Sequence, residues 1–361
     1  MTTPDVDVGV VTWNTRDLVV ENLRRLLDSE QRCRIRLLVR DNGSTDGTPA
    51  AVREWVPEAE IDADERNLGF AAGMNRLLRR GTAPWFLALN PDAWPEPGAV
   101  GELVGAGEKL PTAAAVAPRI ERPDGTLEHS THPFPSLRMA FLHALGGRWW
   151  LPRRVLEREM LEGHWCHDVT RPVHWAVGAA LLMRRSLLAE VGLFDEGFFM
   201  YAEDMEWCWR VHHAGYDVLF EPRARFRHVG NASGQQAFGA ARVDLETASA
   251  LRFHHLTHGR LSTAAYRYVS AAAATELWAG ARLRGDHGAA ERWSRQARAL
   301  VRGGSTDERH EGAGGDGAPA GSGGRGPQDP GPAARATESG SGPTPRPAPP
   351  PPPDPPPAPG L

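Results

Sequence analysis

The feature that most constrains the fold is an alternation of apolar runs and helical patterns in the N-terminal quarter of the chain. Each apolar run is predicted to be a strand, and the segments between them carry apolar residues at helical spacing. The predicted strands cover residues 6–11 and 35–39, a short run that begins at Ile61, and residues 85–89. Strands that alternate with helices predict an α/β fold with a mostly parallel sheet and helices on both faces.

Polar or glycine-rich residues follow each of these strands at once. They are Thr12-Trp13-Asn14, the segment 41–48 that begins Asp41-Asn42-Gly43-Ser44, the segment 67–75 that begins Asn67-Leu68-Gly69-Phe70, and Asn90-Pro91-Asp92. Ligands of such sheets bind at the carboxyl ends of the strands. We therefore expect these segments to belong to one binding site.

Each of these segments also has an ordinary structural explanation. Residues 41–48 are of the types that form turns and cap helices. Gly69 and Gly73 permit close backbone approach at a helix start, where amide groups favour phosphate, but a lone glycine-rich loop is weak evidence. Asp92 can hold a hard cation beside a diphosphate, or it can end a strand in a turn. The residues alone leave both interpretations open.

The segment 192–215 carries the strongest signal of chemistry. Glu203 and Asp204 lie among aromatic residues, just before a predicted helix at 205–213. They either cap that helix, whose first turn favours acids, or form a poorly solvated pair whose raised pKa suits a general base. His228 lies beyond a predicted strand at 218–220, and a lone histidine is more often structural than a metal ligand.

The rest of the chain is patterned less regularly. Strands are predicted at 113–117 and 176–183, an extended hairpin at 119–135, and helices at 136–161 and 243–302. From Gly303 onward Gly, Pro, Ala and Ser dominate, which is typical of a disordered tail. We therefore predict a catalytic domain at 1–242, a helical extension at 243–302 and a disordered tail at 303–361.

Charge and cysteine usage exclude several classes of protein. The formal net charge of −4 argues against a general nucleic-acid binder. Cys33, Cys166 and Cys208 are widely spaced and form no CxxC pair, which indicates a reducing compartment. The N-terminal residues show no basic region followed by an apolar run, so we expect a cytoplasmic protein.

Taken in order, these motifs resemble glycosyltransferase family 2, and within it the bacterial rhamnosyltransferase-like group. The resemblance runs from about Val6 to His228. Besides the segments above, the matching motifs within this range are Trp175-Ala176-Val177-Gly178-Ala179, Phe194-Asp195-Glu196 and Ala214-Gly215-Tyr216. It implies a single nucleotide-diphospho-sugar-binding domain of GT-A type that inverts the anomeric carbon. It further implies a divalent metal, Mg²⁺ or Mn²⁺, as cofactor.

The resemblance also implies roles for individual residues. Asp204 would be the general base with Glu203 beside it, and Asp92 and His228 would bind the metal. The DxD position reads Asn90-Pro91-Asp92, so the first acid of that motif is missing. The residues implied to bind the nucleotide sugar, with Asp41 contacting the base, are Thr12, Asn14, Asp41, Asn67, Gly69, Asn90, Trp175 and Gly178.

The implied activity is transfer of rhamnose from dTDP-rhamnose to a hydroxyl of a cell-envelope glycan or lipid-linked acceptor. Other donors, namely UDP-galactofuranose, UDP-N-acetylglucosamine or UDP-glucose, stay open. A non-catalytic nucleotide-sugar-binding module is disfavoured because the acids are retained in apolar surroundings. A nucleotidyltransferase is disfavoured because Thr12-Trp13-Asn14-Thr15 is not the Gly-rich, basic loop expected after its first strand.

The helical extension raises the question of membrane contact. Residues 252–302 hold nine arginines against Glu276, Asp286 and Glu291, with Tyr266, Tyr268, Trp278 and Trp293 interspersed. Basic helices with aromatic residues can lie on anionic membranes, here the inner face of the plasma membrane. The alternative is a helical cap with a solvated basic face, and the sequence leaves both open.

Overall fold

The computed structural model describes residues 4–29, 32–145, 152, 167–230 and 239–303. Nearly all of the predicted tail and more than half of the predicted helix at 136–161 lie outside these residues, as does Cys166. The prediction of disorder for the tail therefore stays a prediction.

The N-terminal part of the fold alternates strands and helices as the sequence predicts. Strands β1, β2 and β4 are almost wholly buried, because helices cover the sheet on both faces. The elements are β1 (Val6–Thr12), α1 (Arg16–Ser29), β2 (Ile35–Asn42), α2 (Thr48–Trp55), β3 (Glu60–Asp64), α3 (Phe70–Arg80) and β4 (Trp85–Leu89).

The following part of the fold contains shorter strands and more irregular connections. Its strands are β5 (Ala93–Pro95), β6 (Ala113–Glu121), β7 (Leu127–Glu128), β8 (Thr131–His132), β9 (Arg171–Val173), β10 (Trp175–Ala176), β11 (Ala180–Arg184) and β12 (Asp217–His228). Its helices are α4 (Ala99–Lys109), α5 (Leu137–Ala144), α6 (Leu188–Val191) and α7 (Glu203–His213), and the extension forms α8 (Arg242–Leu283) and α9 (His287–Arg302).

The main sheet has the strand order β3-β2-β1-β4-β11-β6-β12-β5. Strands β1, β2, β3 and β4 pair in parallel, and β6 pairs in parallel with β12. Strand β11 runs antiparallel to both β4 and β6, so β6 and β12 point the same way as β1. The sheet is therefore mixed but mostly parallel, and the carboxyl ends of its main strands share one edge.

The core lies on both faces of this sheet. Alternate residues of a strand face opposite sides, so Val8 and Leu87 pack into one apolar cluster while Phe86 packs into the other. Trp207 of α7 and Phe220 of β12 belong to the same cluster as Phe86. This packing fixes α7, and with it Glu203 and Asp204, against the sheet.

One predicted strand is broken in the structure. Residues 176–183 contain the end of β10 and most of β11, but residues 177–179 form neither. Val177 N–H donates to the carbonyl of Ser130 at 2.8 Å, and Gly178 N–H donates to Asp204 Oδ2 at 2.6 Å. The amides of this turn are thus used by partners outside the sheet, which is why the ladder is interrupted there.

The helical extension packs on the catalytic region instead of standing apart from it. Helix α8 contacts α5 and α9, and Phe253 of α8 is buried against Phe198 and Met205. Gly259 interrupts α8 with a left-handed φ of 77°. The position of the domain boundary near residue 242 stays a prediction. None of the helices among the described residues is both long and apolar enough to cross a membrane.

Candidate active site

A cavity of about 360 Å³ opens at the carboxyl edge of the main sheet. It is lined by residues at or just after the carboxyl ends of β1, β2, β3, β4, β10 and β12, and by residues in the first turns of α7 and α8. The polar and aromatic groups on its wall are Thr12, Trp13, Thr15, Asn42, Asn67, Phe70, Asn90, Asp92, Glu128, Trp175, Tyr201, Glu203, Asp204, His228, Arg242 and Glu246. Motifs that are far apart in sequence therefore share one site.

The loops after β1 and β2 are tied to each other by side-chain hydrogen bonds. Thr12 Oγ1 and Thr15 Oγ1 lie 2.5 Å apart, and both residues line the cavity. Asn14 N–H donates to Ser44 Oγ at 2.8 Å, and Asn14 Oδ1 accepts from Thr45 N–H at 2.8 Å. Asn14 adopts a left-handed φ of 51°, which an asparagine tolerates better than most residues. Asn14 thus joins the two loops without lining the cavity itself.

Asp41 is buried at the end of β2 and is held by its own loop. Its Oδ2 accepts from Ser44 N–H at 2.9 Å and its Oδ1 accepts from Ser44 Oγ at 2.6 Å. Asp41 lines a shallow groove with Gly43 and Ser44, next to the loop that Asn14 joins to β1. Its neighbour Asn42 is the residue of this strand end that lines the main cavity.

The third loop is positioned by Asn42 and Asn67. Asn42 Nδ2 donates to the carbonyl of Gly69 at 3.0 Å, and Asn67 Oδ1 accepts from Gly69 N–H at 2.9 Å. Gly69 has φ 81°, and a Cβ at this position would lie 2.3 Å from the carbonyl oxygen of Phe199. Only glycine allows this contact, which joins the start of α3 to the segment that precedes Glu203.

Asp92 and His228 meet at the far side of the cavity. Their Oδ1 and Nε2 atoms are 3.2 Å apart, and His228 Nδ1 lies 3.1 Å from Glu128 Oε2. Both residues are nearly fully buried. Burial lowers the pKa of His228, but the hydrogen bonds with Asp92 and Glu128 outweigh burial and raise it to about 9. The imidazole is therefore held between two carboxylates.

Two features of the fold bring Asp92 and His228 together. Strand β5 begins directly after Asp92 and pairs with the end of β12, where Ala93 lies opposite His228. The turn before it is fixed by Asn22 of α1, whose Nδ2 donates to the carbonyl of Pro91 at 2.7 Å. Asn90 lines the cavity beside them, and its N–H donates to the carbonyl of Ala179.

Glu203 and Asp204 begin α7 and form a buried pair of acids. Asp204 Oδ2 accepts from Gly178 N–H at 2.6 Å, and its Oδ1 accepts from Met205 N–H at 2.7 Å. Burial raises the pKa of Asp204, although these amide bonds oppose the rise. Burial and the charge of Asp204 together raise the pKa of Glu203 well above its usual value. Such carboxyl groups are suited to exchange protons near neutral pH.

Gly178 and Trp175 complete the wall near these acids. A Cβ on Gly178 would lie 3.3 Å from Asp204 Oδ2, so glycine there permits the short amide bond. Trp175 lines the cavity, and its Nε1–H donates to the carbonyl of Pro133 at 2.9 Å. The sequence-predicted residues therefore lie around one cavity, apart from Asn14 and Asp41, which lie in the loops beside it.

Several lining residues were not among the predicted site residues. Trp13 and Asn42 lie within motifs that the sequence does single out, so the motifs themselves indicate that these residues are near the site. Tyr201 lies two residues before Glu203 in the segment that the sequence also singles out. Glu128, Arg242 and Glu246 carry no local motif, because only the pairing of β6 with β7 and the packing of α8 bring them to the cavity.

This geometry places two chemical functions in one cavity. The Asp204–Glu203 pair can take up a proton from a hydroxyl, and the Asp92–His228 pair offers an oxygen atom and a nitrogen atom as ligands for a cation. Within the described ranges, no group of three or more His, Cys, Asp or Glu side chains is arranged to hold a metal on its own. A metal here would need further ligands from its substrate or from water.

Comparison with known proteins identifies the family of the chain. The family model for glycosyl transferase family 2 matches residues 7–191. An N-acetylglucosaminyl-diphospho-decaprenol L-rhamnosyltransferase of Mycobacterium tuberculosis is 34% identical over 237 residues, which cover 61% of this chain and 72% of that protein. A galactofuranosyl glycosyltransferase of Leishmania donovani is 26% identical over 182 residues, which cover 46% of this chain and 42% of that protein.

The fold has a solved counterpart. The mannosyltransferase PcManGT from Pyrobaculum calidifontis, in complex with GDP-Man and Mn²⁺, superposes with a TM-score of 0.51 at 21% identity. The match covers 84% of this chain and 86% of that chain. At this identity the likeness concerns the fold, which is the GT-A arrangement that the sequence predicts. By the family match and the rhamnosyltransferase relative, the chain belongs to glycosyltransferase family 2 and is a glycosyltransferase that uses a nucleotide-sugar donor.

Proposed function

We propose that the protein transfers L-rhamnose from dTDP-rhamnose, with inversion, to a hydroxyl of a lipid-linked glycan. The observation that carries the proposal is the single cavity that holds the buried acids Glu203 and Asp204 opposite the Asp92–His228 pair. The mycobacterial relative, named for rhamnose transfer to a diphospho-decaprenol acceptor, supports both the sugar and the class of acceptor.

The residues of the cavity supply the steps of the transfer. Asp204 accepts the proton of the acceptor hydroxyl while its oxygen forms a bond to the anomeric carbon. The bond from that carbon to the diphosphate oxygen breaks, and its electron pair leaves with the nucleoside diphosphate. The amides of Gly178 and Met205 hold the Asp204 carboxylate in place, and Glu203 lies buried beside it.

The side chains around Asp92 fit a divalent metal. Asp92 offers an oxygen, His228 offers Nε2, and the contact of Glu128 with Nδ1 is the arrangement that orients metal-bound histidines. We propose that Asp92 and His228 hold Mg²⁺ or Mn²⁺, and the Mn²⁺ reported for the Pyrobaculum mannosyltransferase supports this. When bound, the metal neutralises charge on the leaving diphosphate.

A UDP-sugar donor is the main alternative to dTDP-rhamnose. The Leishmania relative is named for galactofuranose transfer, which favours this alternative, but it matches less than half of its own length. A non-catalytic nucleotide-sugar-binding module is disfavoured, because such a protein has no need for the buried acids Glu203 and Asp204.

Contact with a membrane is proposed for the helical extension. Leu261 and Leu283 of α8 are each 90% exposed, and Tyr268 and Trp278 of the same helix are also exposed. Tyr266 and Trp293, in contrast, are partly buried and pack against a small core between α8 and α9. Exposed apolar side chains can insert into a lipid surface while the neighbouring arginines bind its anionic headgroups. A lipid-linked acceptor would lie at the same surface.

A donor screen tests the proposed function. The protein is incubated with dTDP-rhamnose, UDP-galactofuranose, UDP-N-acetylglucosamine or UDP-glucose, and with a polyprenyl-diphosphate-linked N-acetylglucosamine, with and without Mg²⁺ or Mn²⁺. We expect metal-dependent release of dTDP from dTDP-rhamnose. Release from a UDP-sugar alone would establish the alternative donor, and release from none would refute the proposal.

A further inference from the structure

The segment that leads into the acid pair has an unusual backbone. Tyr201 and Ala202 both adopt left-handed conformations, with φ of 69° and 66°. Residues other than glycine are strained in this conformation, and strain of this kind gathers at functional sites. The turn lets the chain present Tyr201 to the cavity and begin α7 with Glu203 two residues later.

The surrounding structure holds this turn from both sides. The Phe199 carbonyl accepts from Phe70 N–H at 2.7 Å, and the Met200 carbonyl accepts from Ser249 Oγ of α8 at 2.9 Å. Arg252 of α8 donates to Asp195 at 2.9 Å and lies over the ring of Phe198. The strained conformation is therefore fixed by both the catalytic region and the extension.

Tyr201 carries a hydroxyl with no structural partner among the described residues. Its Oη is buried and makes no hydrogen bond to them, although the residue lines the cavity. Burial raises the pKa of Tyr201 to about 12, so the phenol keeps its proton and is available as a donor. A buried hydroxyl without a partner is costly unless a ligand satisfies it.

The charges around Tyr201 indicate which part of a ligand the hydroxyl meets. The phenol interacts electrostatically with Asp92, Glu203, Arg242 and Glu246, so it lies between the proposed metal site and the start of α8. Arg242 is the only arginine among the described residues of the cavity wall, and that wall contains no lysine. Its Cζ lies 5.8 Å from the centre of the Tyr201 ring.

Arg242 lies beside Tyr201 and can donate hydrogen bonds to the same ligand. Its Nε donates to Glu246 Oε1 at 2.7 Å, and its terminal nitrogens make no hydrogen bond to a described residue. The guanidinium N–H groups of Arg242 and the phenol O–H of Tyr201 together are donors suited to phosphate oxygens. The other side chains that face this part of the cavity are mainly carboxylates, which do not bind an anion directly.

We propose that the Tyr201 hydroxyl, with Arg242 beside it, binds the β-phosphate of the nucleotide-sugar donor and stabilises the leaving diphosphate. This inference rests on the proposed function, since it requires a nucleotide-sugar donor in the cavity. It adds two groups that were not among the predicted site residues, one of them the first residue of α8. Helix α8 therefore contributes to the reaction as well as to the proposed membrane contact.

The test compares nucleotides with and without a β-phosphate. Calorimetry measures binding of dTDP, UDP, dTMP and UMP to the wild type and to Tyr201→Phe, with Mg²⁺ present. Because the lost bond is to a charged oxygen, we expect Tyr201→Phe to weaken diphosphate binding about tenfold and to leave monophosphate binding unchanged. Arg242→Gln should show the same selectivity. Tyr216→Phe is the matched control, because its hydroxyl bonds Glu190 at an exposed position outside the cavity.

The outcomes separate this inference from the proposed function. Equal diphosphate binding by the wild type and Tyr201→Phe refutes the role of Tyr201, and a raised KM for the acceptor in that variant would assign it to the acceptor instead. Equal weakening of diphosphates and monophosphates also refutes the β-phosphate contact. If the wild type binds none of the nucleotides, the proposed function fails and this inference fails with it.

Discussion

Asp204 is the residue on which the proposed chemistry depends most directly. Asp204→Asn removes the basic oxygen, and general-base removal typically costs about 10²–10⁴-fold in turnover. Asparagine has one carbonyl acceptor, whereas Asp204 accepts from two backbone amides, so we also expect a loss of about 1–3 kcal/mol in the free energy of unfolding. Turnover is measured by nucleotide release, and binding of dTDP checks that the donor site is intact.

The comparison that decides the role of Asp204 is Glu203→Gln. Each variant removes one carboxyl group and leaves the other in place. If the base is Asp204, the loss of turnover should be much smaller for Glu203→Gln than for Asp204→Asn. A large loss in Glu203→Gln with near-normal turnover in Asp204→Asn would move the base to Glu203.

The buried acid pair also predicts a dependence of stability on pH. The pKa of Glu203 is raised in the folded state. The contribution of Glu203 to stability is therefore fully present below the pKa that this residue has in the unfolded chain, and it is lost as pH rises from there through the folded-state pKa. We expect the melting temperature of Glu203→Gln to fall less than that of the wild type between about pH 5 and about pH 8. The exposed Glu54→Gln serves as control and should follow the wild type. An equal fall in the melting temperatures of Glu203→Gln and the wild type would contradict the prediction.

At the scale of elements, the contact of α3 with the segment before α7 depends on Gly69. Gly69→Ala places a Cβ against the Phe199 carbonyl in a conformation almost restricted to glycine. We expect the free energy of unfolding to fall by about 1–3 kcal/mol and turnover to fall with it, because residues 199–204 must shift. Chemical denaturation measures the first effect and nucleotide release the second.

Gly105 offers a matched control for this substitution. It lies within α4, and a Cβ there would meet nothing within 4 Å. Gly105→Ala should raise the free energy of unfolding by up to about 1 kcal/mol, because alanine favours the helix. Equal effects at the two glycines would mean that the contact with Phe199 is unimportant.

The elements that the sequence predicts well are those with local signals. Strands β1 to β4 and their helices follow from apolar periodicity and from polar residues at each strand end. Strand β5 is too short for a period to be visible, and α4 contains Gly101, Gly105 and Gly107, which lower helix propensity.

The same reasoning explains which site residues were predicted. Asp92, Glu203 and Asp204 lie in motifs, whereas Glu128 and Arg242 reach the cavity through long-range pairing and packing that no local pattern records. Trp293 shows the reverse case, because its aromatic character suggested lipid contact but it packs, partly buried, against the core between α8 and α9.

At the scale of the whole molecule, the exposed apolar residues of α8 predict binding to anionic membranes. The full chain should cosediment with vesicles of anionic lipid at low salt, and binding should weaken steeply as salt rises, because each basic residue contributes on the order of 1 kcal/mol of screened attraction. The paired substitution Leu261→Ser with Leu283→Ser should weaken binding. Trp55→Ser, at an exposed aromatic residue of α2, should not. Absence of binding at low salt would favour the solvated helical cap.

The pairing of β5 with β12 has a consequence for how the enzyme is assembled. The loops after β1, β2 and β3 come from successive strand–helix units, and the contacts within these units join residues that are close in sequence. The Asp92–His228 contact instead closes a long loop, and such contacts form slowly because the entropy of closure must be overcome first. During synthesis the early units can fold while the later residues are still being added. The Asp92–His228 pair of the proposed metal site is therefore completed after the early strand–helix units, because His228 is synthesised long after them.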